Sequence, residues 1–449
     1  MRTNVLNPRS ALLAVLMAGV CSTAMGQSAG PAVFATNNGN LRGSLTSWRI
    51  NPDGTVSLVQ DLVIGERVSS APSIQTTNAY SGSLTPNGKY IAVGHATSFT
   101  QEQITIVRVN SDATMAVAET FMHPSTPLDL IWMSDEILAV TETYSSGQNR
   151  VRTYRFDQAT ETATFVHSVN VGGFCSSLAR TPDGEWLFAT DSPLQGSSAV
   201  FTIRVSPEGM MTRVLDGFTY GYALGLGMSP DGRFLYSGGG ISGGNVATVQ
   251  EFDPISGALG LQSPYSSAGS SPKQVKVSPS GNYALVAHGS DGTARCHAID
   301  PTNGGLTYTG NLVDTGAQGS LGFIDIVRVN GMDLALFTDR DTTGGRGMCS
   351  AVINPDGTLT EKSMRVDGGG IDPFDVMAWV PPGPSCGTSD FNGDEDFGTD
   401  QDVEAFFACI AGNCCATCFA GGADFNGDGD TGTDQDIEAF FRVLAGGNC

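Results

Sequence analysis

The sequence predicts a mainly β protein, a seven-bladed β-propeller followed by a small α-helical domain. A turn-and-strand phrase recurs at intervals of about 48 residues between residues 31 and 382. A second marker, at strand ends, occurs seven times over the same stretch, and an acidic phrase is written twice in the last sixty residues. Repeated units of this length with four short strands each are typical of propeller blades.

The N-terminus has the pattern of a secretory signal. Arg2 and Arg9 precede an apolar run over residues 11–20, and small residues follow it. The run is too short to span a bilayer, and Val20 directly before Cys21 fits a lipoprotein processing site poorly. We therefore expect residues 1–26 to be a signal peptide, without a transmembrane anchor. The mature protein is expected to be secreted or associated with the cell surface.

The charge of the chain restricts its partners. The formal net charge is −22 over 449 residues, which argues against nucleic acid and against an anionic membrane as partners. About half of this charge lies after residue 382, where thirteen acidic residues accompany one arginine. Bound cations are the natural compensation for such a cluster.

The clearest repeat is a Ser/Thr-Pro-x-Gly turn that joins two strands. Proline fixes one turn dihedral and glycine accepts the positive one, so each copy predicts a hairpin. The four copies are Thr85–Gly88, Thr181–Gly184, Ser229–Gly232 and Ser278–Gly281. The spacing leaves room for a degraded copy at Ser134–Glu136.

A second turn marker follows an apolar strand in each unit. Its seven copies begin at Asn51, Asn110, Asp157, Ser206, Asp253, Asp300 and Asn354. The strand near residues 32–35 has no turn phrase before it, and the strand near residues 374–379 has none after it. We expect these two strands to complete one blade together and so close the ring, which removes exposed sheet edges.

These turns resemble those of the lactonase family, which includes 6-phosphogluconolactonase-type and YncE-like propellers. The resemblance rests on Ser229–Tyr236, which reads S-P-D-G-x-x-L-Y, and on Ile299–Leu306, which reads I-D-P-x-x-G-x-L. It covers residues 31–382 and implies a monomeric seven-bladed propeller. Enzymes of the family carry a Pro-His pair early in the innermost strands. The equivalent places here hold Ala79-Tyr80, Cys175-Ser176, Ala223-Leu224 and Pro272-Lys273.

One set of polar residues in the propeller is a candidate catalytic site. Alignment of the strands that follow the turns places seven residues at one equivalent position, expected near the mouth of the central channel. Two histidines and three carboxylates in such a ring could perform acid–base chemistry or hold a cation. The alternative is that strand ends are polar because they meet solvent. The seven residues are Asn37, His95, Glu142, Asp191, Gly239, His288 and Asp339.

The repeated acidic phrase predicts two calcium loops in residues 390–449. Oxygen-bearing side chains at loop positions 1, 3 and 5 are the hard ligands that Ca²⁺ requires. The predicted ligands are Asp390, Asn392, Asp394, Asp396 and Asp402 in the first loop, and Asp424, Asn426, Asp428, Asp430 and Asp436 in the second. An apolar i, i+3, i+4, i+7 stripe after each loop predicts an amphipathic helix, with Thr399 and Thr433 as N-caps.

This duplicated loop–helix pattern resembles a dockerin, a module that binds cohesin partners or tethers exported proteins. Two positions depart from the family pattern. Position 6 is Glu395 in the first loop and Gly429 in the second, and position 12 is a glutamine in both. A one-residue expansion would let Asp402 and Asp436 close the loops. We expect the second loop to bind calcium more tightly, and the alternative is an acidic module without a defined ion.

Cysteines crowd the same region, in agreement with an oxidising compartment. Up to three disulfides are possible, and their pairing stays open; a zinc cluster is the rival interpretation. The six cysteines are Cys386, Cys409, Cys414, Cys415, Cys418 and Cys449. Cys175, Cys296 and Cys349 are scattered through the propeller, so at least one is expected to be a buried free thiol.

Together these patterns predict a secreted propeller that acts as a binding platform for an unknown ligand. Residues 383–389 are the linker to the dockerin-like module, which would attach the protein to a partner protein or a surface. The alternative is a lactonase-type hydrolase that opens a sugar or related lactone at the channel mouth. A third interpretation is a purely structural propeller.

Overall fold

A computed structural model of the chain describes fifteen segments of the sequence. These are residues 30–39, 41–66, 77–96, 102–143, 149–172, 174–191, 198–219, 225–239, 244–314, 321–340, 346–381, 387–394, 396–419, 422–426 and 431–445. The predicted signal peptide, Cys386, Cys449, Glu395, Asp428 and Asp430 lie outside these segments.

Seven antiparallel sheets form the propeller, which confirms the predicted blade count. The first blade contains β1 (Ala32–Asn38), β2 (Arg42–Ile50) and β3 (Val56–Glu66), together with the last strand, β29 (Pro373–Trp379). The second contains β4 (Ala79–Leu84), β5 (Tyr90–His95), β6 (Glu102–Val109) and β7 (Met115–His123). The third contains β8 (Leu130–Trp132), β9 (Ile137–Glu142), β10 (Asn149–Asp157) and β11 (Thr162–Gly172).

The remaining four blades follow in chain order. The fourth contains β12 (Leu178–Arg180), β13 (Trp186–Asp191), β14 (Ser198–Val205) and β15 (Met211–Thr219). The fifth contains β16 (Leu226–Met228), β17 (Phe234–Gly238), β18 (Val246–Asp253), β19 (Ala258–Leu259) and β20 (Ser263–Ser266). The sixth contains β21 (Pro272–Val277), β22 (Tyr283–His288), β23 (Thr293–Ile299) and β24 (Leu306–Asp314). The seventh contains β25 (Leu321–Val329), β26 (Met332–Asp339), β27 (Gly347–Ile353) and β28 (Leu359–Val366).

The two ends of the propeller segment share the first blade, as the sequence predicts. Strand β29 pairs antiparallel with β1, and Val33 lies opposite Ala378. The innermost strand of this blade therefore comes from the end of the segment and the outer three from its beginning. Hydrogen bonds between β29 and β1 therefore close the ring.

The Pro-Gly turns join the innermost strand of a blade to the second strand. In the second blade the Gly88 amide donates to the Thr85 carbonyl at 2.9 Å, and Gly88 has a φ of +70°. A Cβ atom at Gly88 would lie 2.0 Å from the indole of Trp379. Glycine is required there for two reasons, the left-handed backbone and the neighbouring ring.

The hydrophobic core is divided among the blade junctions. Seven clusters of buried side chains each contain residues of two neighbouring blades, such as Ala139 and Leu187 at the junction of the third and fourth. The second strand of each blade lies deepest, and all six residues of β5 and of β9 are buried. Burial on both faces explains why these strands are nearly continuous apolar runs.

The C-terminal region contains the two predicted helices, α1 (Asp400–Ile410) and α2 (Asp434–Leu444), each with a threonine N-cap. Phe406 and Phe440 stack with ring centroids 4.1 Å apart and are fully buried. Phe407 and Phe441 are 42% and 46% exposed, so only part of each aromatic stripe enters the core. The helices and their packing are confirmed, and membership in the dockerin family stays a prediction.

Disulfides join neighbouring cysteines of this region. Cys409 pairs with Cys414, and Cys415 pairs with Cys418. The three cysteines of the propeller are free and buried, as expected. Burial raises the pKa of the Cys296 thiol to about 11 and that of Cys349 to about 12, so both are protonated at neutral pH.

Candidate functional site

The innermost strands of all seven blades surround a central channel of about 1390 Å³. Such a volume accepts a small organic molecule with its hydration water. Within the described segments no histidine lines this channel. Its polar lining consists mainly of carboxylate, lysine, arginine and hydroxyl side chains, arranged as an aromatic end and a charged middle level.

Three aromatic rings define one end of the channel. Phe374 lies 4.3 Å from Tyr80 and 5.1 Å from Phe323, measured between ring centroids. The Arg340 guanidinium lies 4.5 Å from the Phe374 centroid and forms two hydrogen bonds, of 2.6 and 2.9 Å, with the Asp372 carboxylate. We call this part of the channel the aromatic end. Flat apolar faces beside fixed charges suit a polar ring such as a sugar.

Three aspartates face the middle of the channel. The carboxylate of each one accepts a hydrogen bond from a backbone amide of the next blade. Asp129 accepts hydrogen bonds from the Leu130 amide at 2.8 Å and the Leu178 amide at 2.7 Å. Asp375 accepts from Val376 and from Gly82 of the next blade, each at 2.9 Å.

The third aspartate has the same pattern. Asp325 accepts from the Ile326 amide at 3.0 Å and from the Ala378 amide of the next blade at 2.9 Å. Neutral side chains take this role at three other junctions, where Ser83, Ser177 and Gln274 accept from an amide of the next blade. Six of the seven junctions therefore have a side-chain bridge among the described residues.

The aspartates differ in how easily they ionise. Burial, reinforced by the charge of Asp375, raises the pKa of Asp129 to about 7. Burial also raises the pKa of Asp375, to about 6, with the Gly82 hydrogen bond and the Lys276 charge acting against the rise. Asp325 lies 3.3 Å from the Lys276 ammonium, and its charge raises the pKa of Lys276. Carboxyl groups that titrate near pH 7 are suited to general acid–base chemistry.

These aspartates were not among the residues predicted from the sequence. Each lies between two apolar residues, within a strand for Asp325 and Asp375 and directly before β8 for Asp129. A charged residue inside an apolar stretch, repeated in three blades, was the available signal. The turn phrases mark the second strand of each blade instead.

The structure places the predicted catalytic residues at equivalent positions, one strand outside the channel wall. His95, Glu142, Asp191 and His288 are the last residues of β5, β9, β13 and β22, and Asp339 is the last residue of β26. None of them lines the described channel. The second strand is covered on its inner side by the innermost strand, so its end does not reach the channel.

The contacts described for these residues lie within their own blades. His95 bonds through Nδ1 to the Thr77 carbonyl at 3.0 Å and through Nε2 to the Thr105 hydroxyl at 2.8 Å. Burial lowers the pKa of His95 to about 4, so the ring is neutral.

The two carboxylates with arginine partners show the same arrangement. Glu142 forms an ion pair with Arg152 at 2.5 Å, and Asp339 forms one with Arg365 at 2.7 Å. The Asp191 carboxylate accepts from the Phe174 amide at 2.9 Å. These contacts do not bring the five residues into one site, and their catalytic role stays a prediction.

The first acidic loop brings three of its predicted ligands together. One carboxylate oxygen from each of Asp390, Asp394 and Asp402 lies within 4.8 Å of the others. Ligand oxygens at 2.3–2.6 Å from one Ca²⁺ ion are separated by at most about 5 Å, so the spacing fits this ion. Asp402 also accepts from the Asn392 amide at 3.2 Å and the Thr399 amide at 2.8 Å.

The second loop repeats the bonds around its closing aspartate. Asp436 accepts from the Asn426 amide at 3.2 Å and from the Thr433 amide at 2.8 Å. Burial acts to raise the pKa of Asp436, but these hydrogen bonds outweigh it and the pKa is lowered. The same balance lowers the pKa of Asp402. Both groups are therefore carboxylates at neutral pH and available to a cation.

The chain is similar to known proteins of the same architecture. The family model described as "Lactonase, 7-bladed beta-propeller" matches residues 214–323. A candidate 6-phosphogluconolactonase from Bacteroides uniformis is 15% identical with a TM-score of 0.60, and the match covers 78% of this chain and 100% of that one. The periplasmic gluconolactonase PpgL of Pseudomonas aeruginosa is 18% identical with a TM-score of 0.60, covering 78% and 99%. No curated protein matches the chain.

At these identities the solved structures establish similarity of fold alone. Within the described segments no helix has the length and apolarity needed to cross a membrane. The chain is a seven-bladed β-propeller that resembles the 6-phosphogluconolactonase structures and matches the lactonase family model over part of its length.

Proposed function

We propose that the propeller is a lactone hydrolase whose reaction takes place in the central channel. The observation that carries this proposal is the pair Asp129 and Asp375, two channel carboxyl groups with pKa values of about 7 and about 6. When the environment separates two carboxyl pKa values in this way, the lower group acts as base and the higher as acid. The match to the lactonase family model supports the reaction class.

In the proposed reaction Asp375 removes a proton from a water molecule, which attacks the lactone carbonyl carbon. The resulting tetrahedral intermediate collapses with cleavage of the bond to the ring oxygen, and Asp129 donates a proton to that oxygen. The product is an open-chain hydroxy acid. The nearby Lys276 ammonium stabilises the negative charge that develops on the carbonyl oxygen. The rings of Tyr80, Phe323 and Phe374 would hold the sugar by stacking.

Hydrolysis of glucono-δ-lactone, followed in a pH-stat with the uncatalysed rate subtracted, tests this proposal. Asp375→Asn and Asp129→Asn should each lower kcat by about 10²-fold or more, as expected for loss of a general base or acid. Asp333→Asn is the matched control, because Asp333 is a buried carboxylate outside the channel. Turnover that survives both channel substitutions, or its absence in the unmodified protein, would contradict the proposal.

The predicted ring residues give a second assignment of the same reaction, with His95 or His288 as base and Glu142 or Asp191 as partner. His95→Ala and His288→Ala distinguish the two assignments. The channel assignment expects these variants to melt at lower temperature and to keep their kcat at a temperature where they are folded. A loss of kcat in the folded variants would favour the ring assignment.

For the C-terminal region we propose that the acidic loops bind calcium and that the dockerin-like module attaches the secreted protein to a partner. The close approach of Asp390, Asp394 and Asp402 supports the first loop. Calorimetric titration of the full chain with Ca²⁺ tests it, with Asp390→Asn and Asp424→Asn removing one loop at a time. Absence of binding heat with the disulfides intact would refute the calcium proposal. If the module attaches the protein to a partner, the propeller would also be displayed there as a binding platform for a ligand.

A further inference from the structure

We propose that Lys273 is a covalent binding site for carbonyl compounds, which it would hold as an imine in the channel. The ligand class is a small aldehyde or 2-oxo acid that carries a carboxylate. The imine chemistry uses neither Asp129 nor Asp375, although its ligand would lie beside the aromatic end that also serves the proposed lactone site.

The first argument is the contrast between two lysines of one strand. Lys273 and Lys276 both belong to β21 and both line the channel. Lys276 forms an ion pair with Asp325, which keeps it an ammonium. Within the described segments Lys273 forms no ion pair. Its Nζ donates to the Leu321 carbonyl and lies 5.4 Å from the Phe323 ring centroid.

The second argument is the charge that surrounds Lys273. Burial together with the positive charge of Arg340 lowers its pKa to about 7, although Asp372 acts in the opposite direction. A lysine that is desolvated beside another cation is the arrangement that produces a nucleophilic free amine. At pH 7 about half of the Lys273 side chains would be unprotonated, against about one in 10³ for a lysine with an ordinary pKa near 10.4.

The third argument concerns the ligand. Two of the Arg340 nitrogens, Nε and Nη2, are bonded to Asp372. Within the described segments Nη1 has no hydrogen-bond partner, so it can bind a carboxylate, which arginine binds well. A ligand that places its carboxylate against Arg340 would present a neighbouring carbonyl carbon to Lys273 beside the aromatic end.

The reaction needs no oxidant and no cofactor. The Nζ lone pair forms a bond to the carbonyl carbon while the π electrons move to oxygen. A proton passes from nitrogen to that oxygen and gives a carbinolamine. The nitrogen lone pair then forms the C=N bond as the C–O bond breaks, and the departing hydroxyl takes the second proton from nitrogen and leaves as water. The product is a C=N bond between Lys273 and the ligand.

Reductive trapping tests the proposal with the full chain. The probe is glyoxylate with cyanoborohydride at pH 7, which converts a lysine imine into carboxymethyl-lysine. The chain has four lysines, Lys89, Lys273, Lys276 and Lys362, so peptide mass spectrometry reports each one. Lys273 should be labelled at least about tenfold faster than exposed Lys89, in line with its larger free-amine fraction. Labelling of Lys273 no faster than that of Lys89 would overturn the proposal.

Two further measurements test separately the reactive amine of Lys273 and the binding of a carboxylate by Arg340. Lys273→Met, which places no permanent charge beside Arg340, should remove the labelling at this position while the labelling of Lys89 stays the same. Glycolaldehyde, which lacks the carboxylate, should label Lys273 more slowly than glyoxylate, and Arg340→Gln should abolish that difference. Equal labelling by both aldehydes in the unmodified protein would refute the choice of an anionic ligand. None of these measurements depends on lactone turnover, so they test the imine proposal independently of the proposed hydrolase.

Discussion

The channel acid Asp129 should make the propeller less stable as pH rises, and Asp129→Asn should remove this dependence. The folded-state pKa of about 7 lies above the ordinary value of 3.8, so the folded protein binds the proton more tightly than the unfolded chain. The sign follows from linkage: stability is highest below the unfolded pKa and is lost as pH rises toward about 7.

The magnitude follows from the same two pKa values. Their separation, at about 1.4 kcal/mol for each pH unit, corresponds to up to about 4 kcal/mol, of which about 3 kcal/mol falls between pH 4.5 and pH 8. The asparagine retains one of the two acceptor oxygens used by Leu130 and Leu178. Losing the other costs about 1–3 kcal/mol at every pH. The variant should therefore have a lower free energy of unfolding than the unmodified protein at pH 4.5. Between pH 4.5 and pH 8 this difference should shift by about 3 kcal/mol in favour of the variant.

Urea unfolding at the two pH values measures this change. All four tryptophans lie in the propeller, so their fluorescence reports unfolding of that part alone. The control is Asp333→Asn, a buried carboxylate outside the channel, measured in the same way. A difference between Asp129→Asn and the unmodified protein that is the same at pH 4.5 and pH 8 would refute the raised pKa, and with it the role of Asp129 as an acid.

Three other substitutions and the addition of calcium have defined outcomes. Gly88→Ala should cost about 2–5 kcal/mol in urea unfolding, from left-handed backbone and the clash with Trp379. Its control is Gly281→Ala, which has a φ of +73° against +70° at Gly88 but no atom within 4 Å of the added Cβ, and it should cost only about 1–2 kcal/mol. Arg365→Met should destabilise the propeller by about 3–5 kcal/mol because it removes the ion pair of fully buried Asp339, and an unchanged midpoint would count against a stabilising role for this pair. Calcium at a hundredfold excess over its dissociation constant should stabilise the C-terminal helices by about 2.7 kcal/mol, seen as a higher melting temperature that chelator reverses.

The features that could be predicted from the sequence are those fixed by local chemistry. The Pro-Gly turns specify hairpins by themselves, and their spacing gives the number of blades. The closure of the first blade could be inferred because strands β1 and β29 lacked neighbours in sequence. The helices α1 and α2 were predicted from their apolar stripes and threonine caps.

The channel site could not be predicted in the same way, because it depends on which strand of each blade faces the axis. The turn phrases mark the second strand most clearly. His95 and its equivalents were therefore predicted as catalytic residues, although that strand lies behind the channel wall. The innermost strands β8, β12 and β16 have only three residues each and show little periodicity. The exposure of Phe407 and Phe441 was also missed, since the stripe alone does not show how much of a helix face its partner covers.

The pH dependence of lactone hydrolysis tests whether Asp375 and Asp129 act as base and acid. With glucono-δ-lactone and the uncatalysed rate subtracted, kcat/KM should follow a bell-shaped curve with limbs near pH 6 and pH 7, set by Asp375 as base and Asp129 as acid. Asp375→Asn should abolish the acidic limb together with most of the activity. A full-length, folded protein with no turnover between pH 5 and pH 8, or with a profile that Asp375→Asn leaves unchanged, would contradict the account.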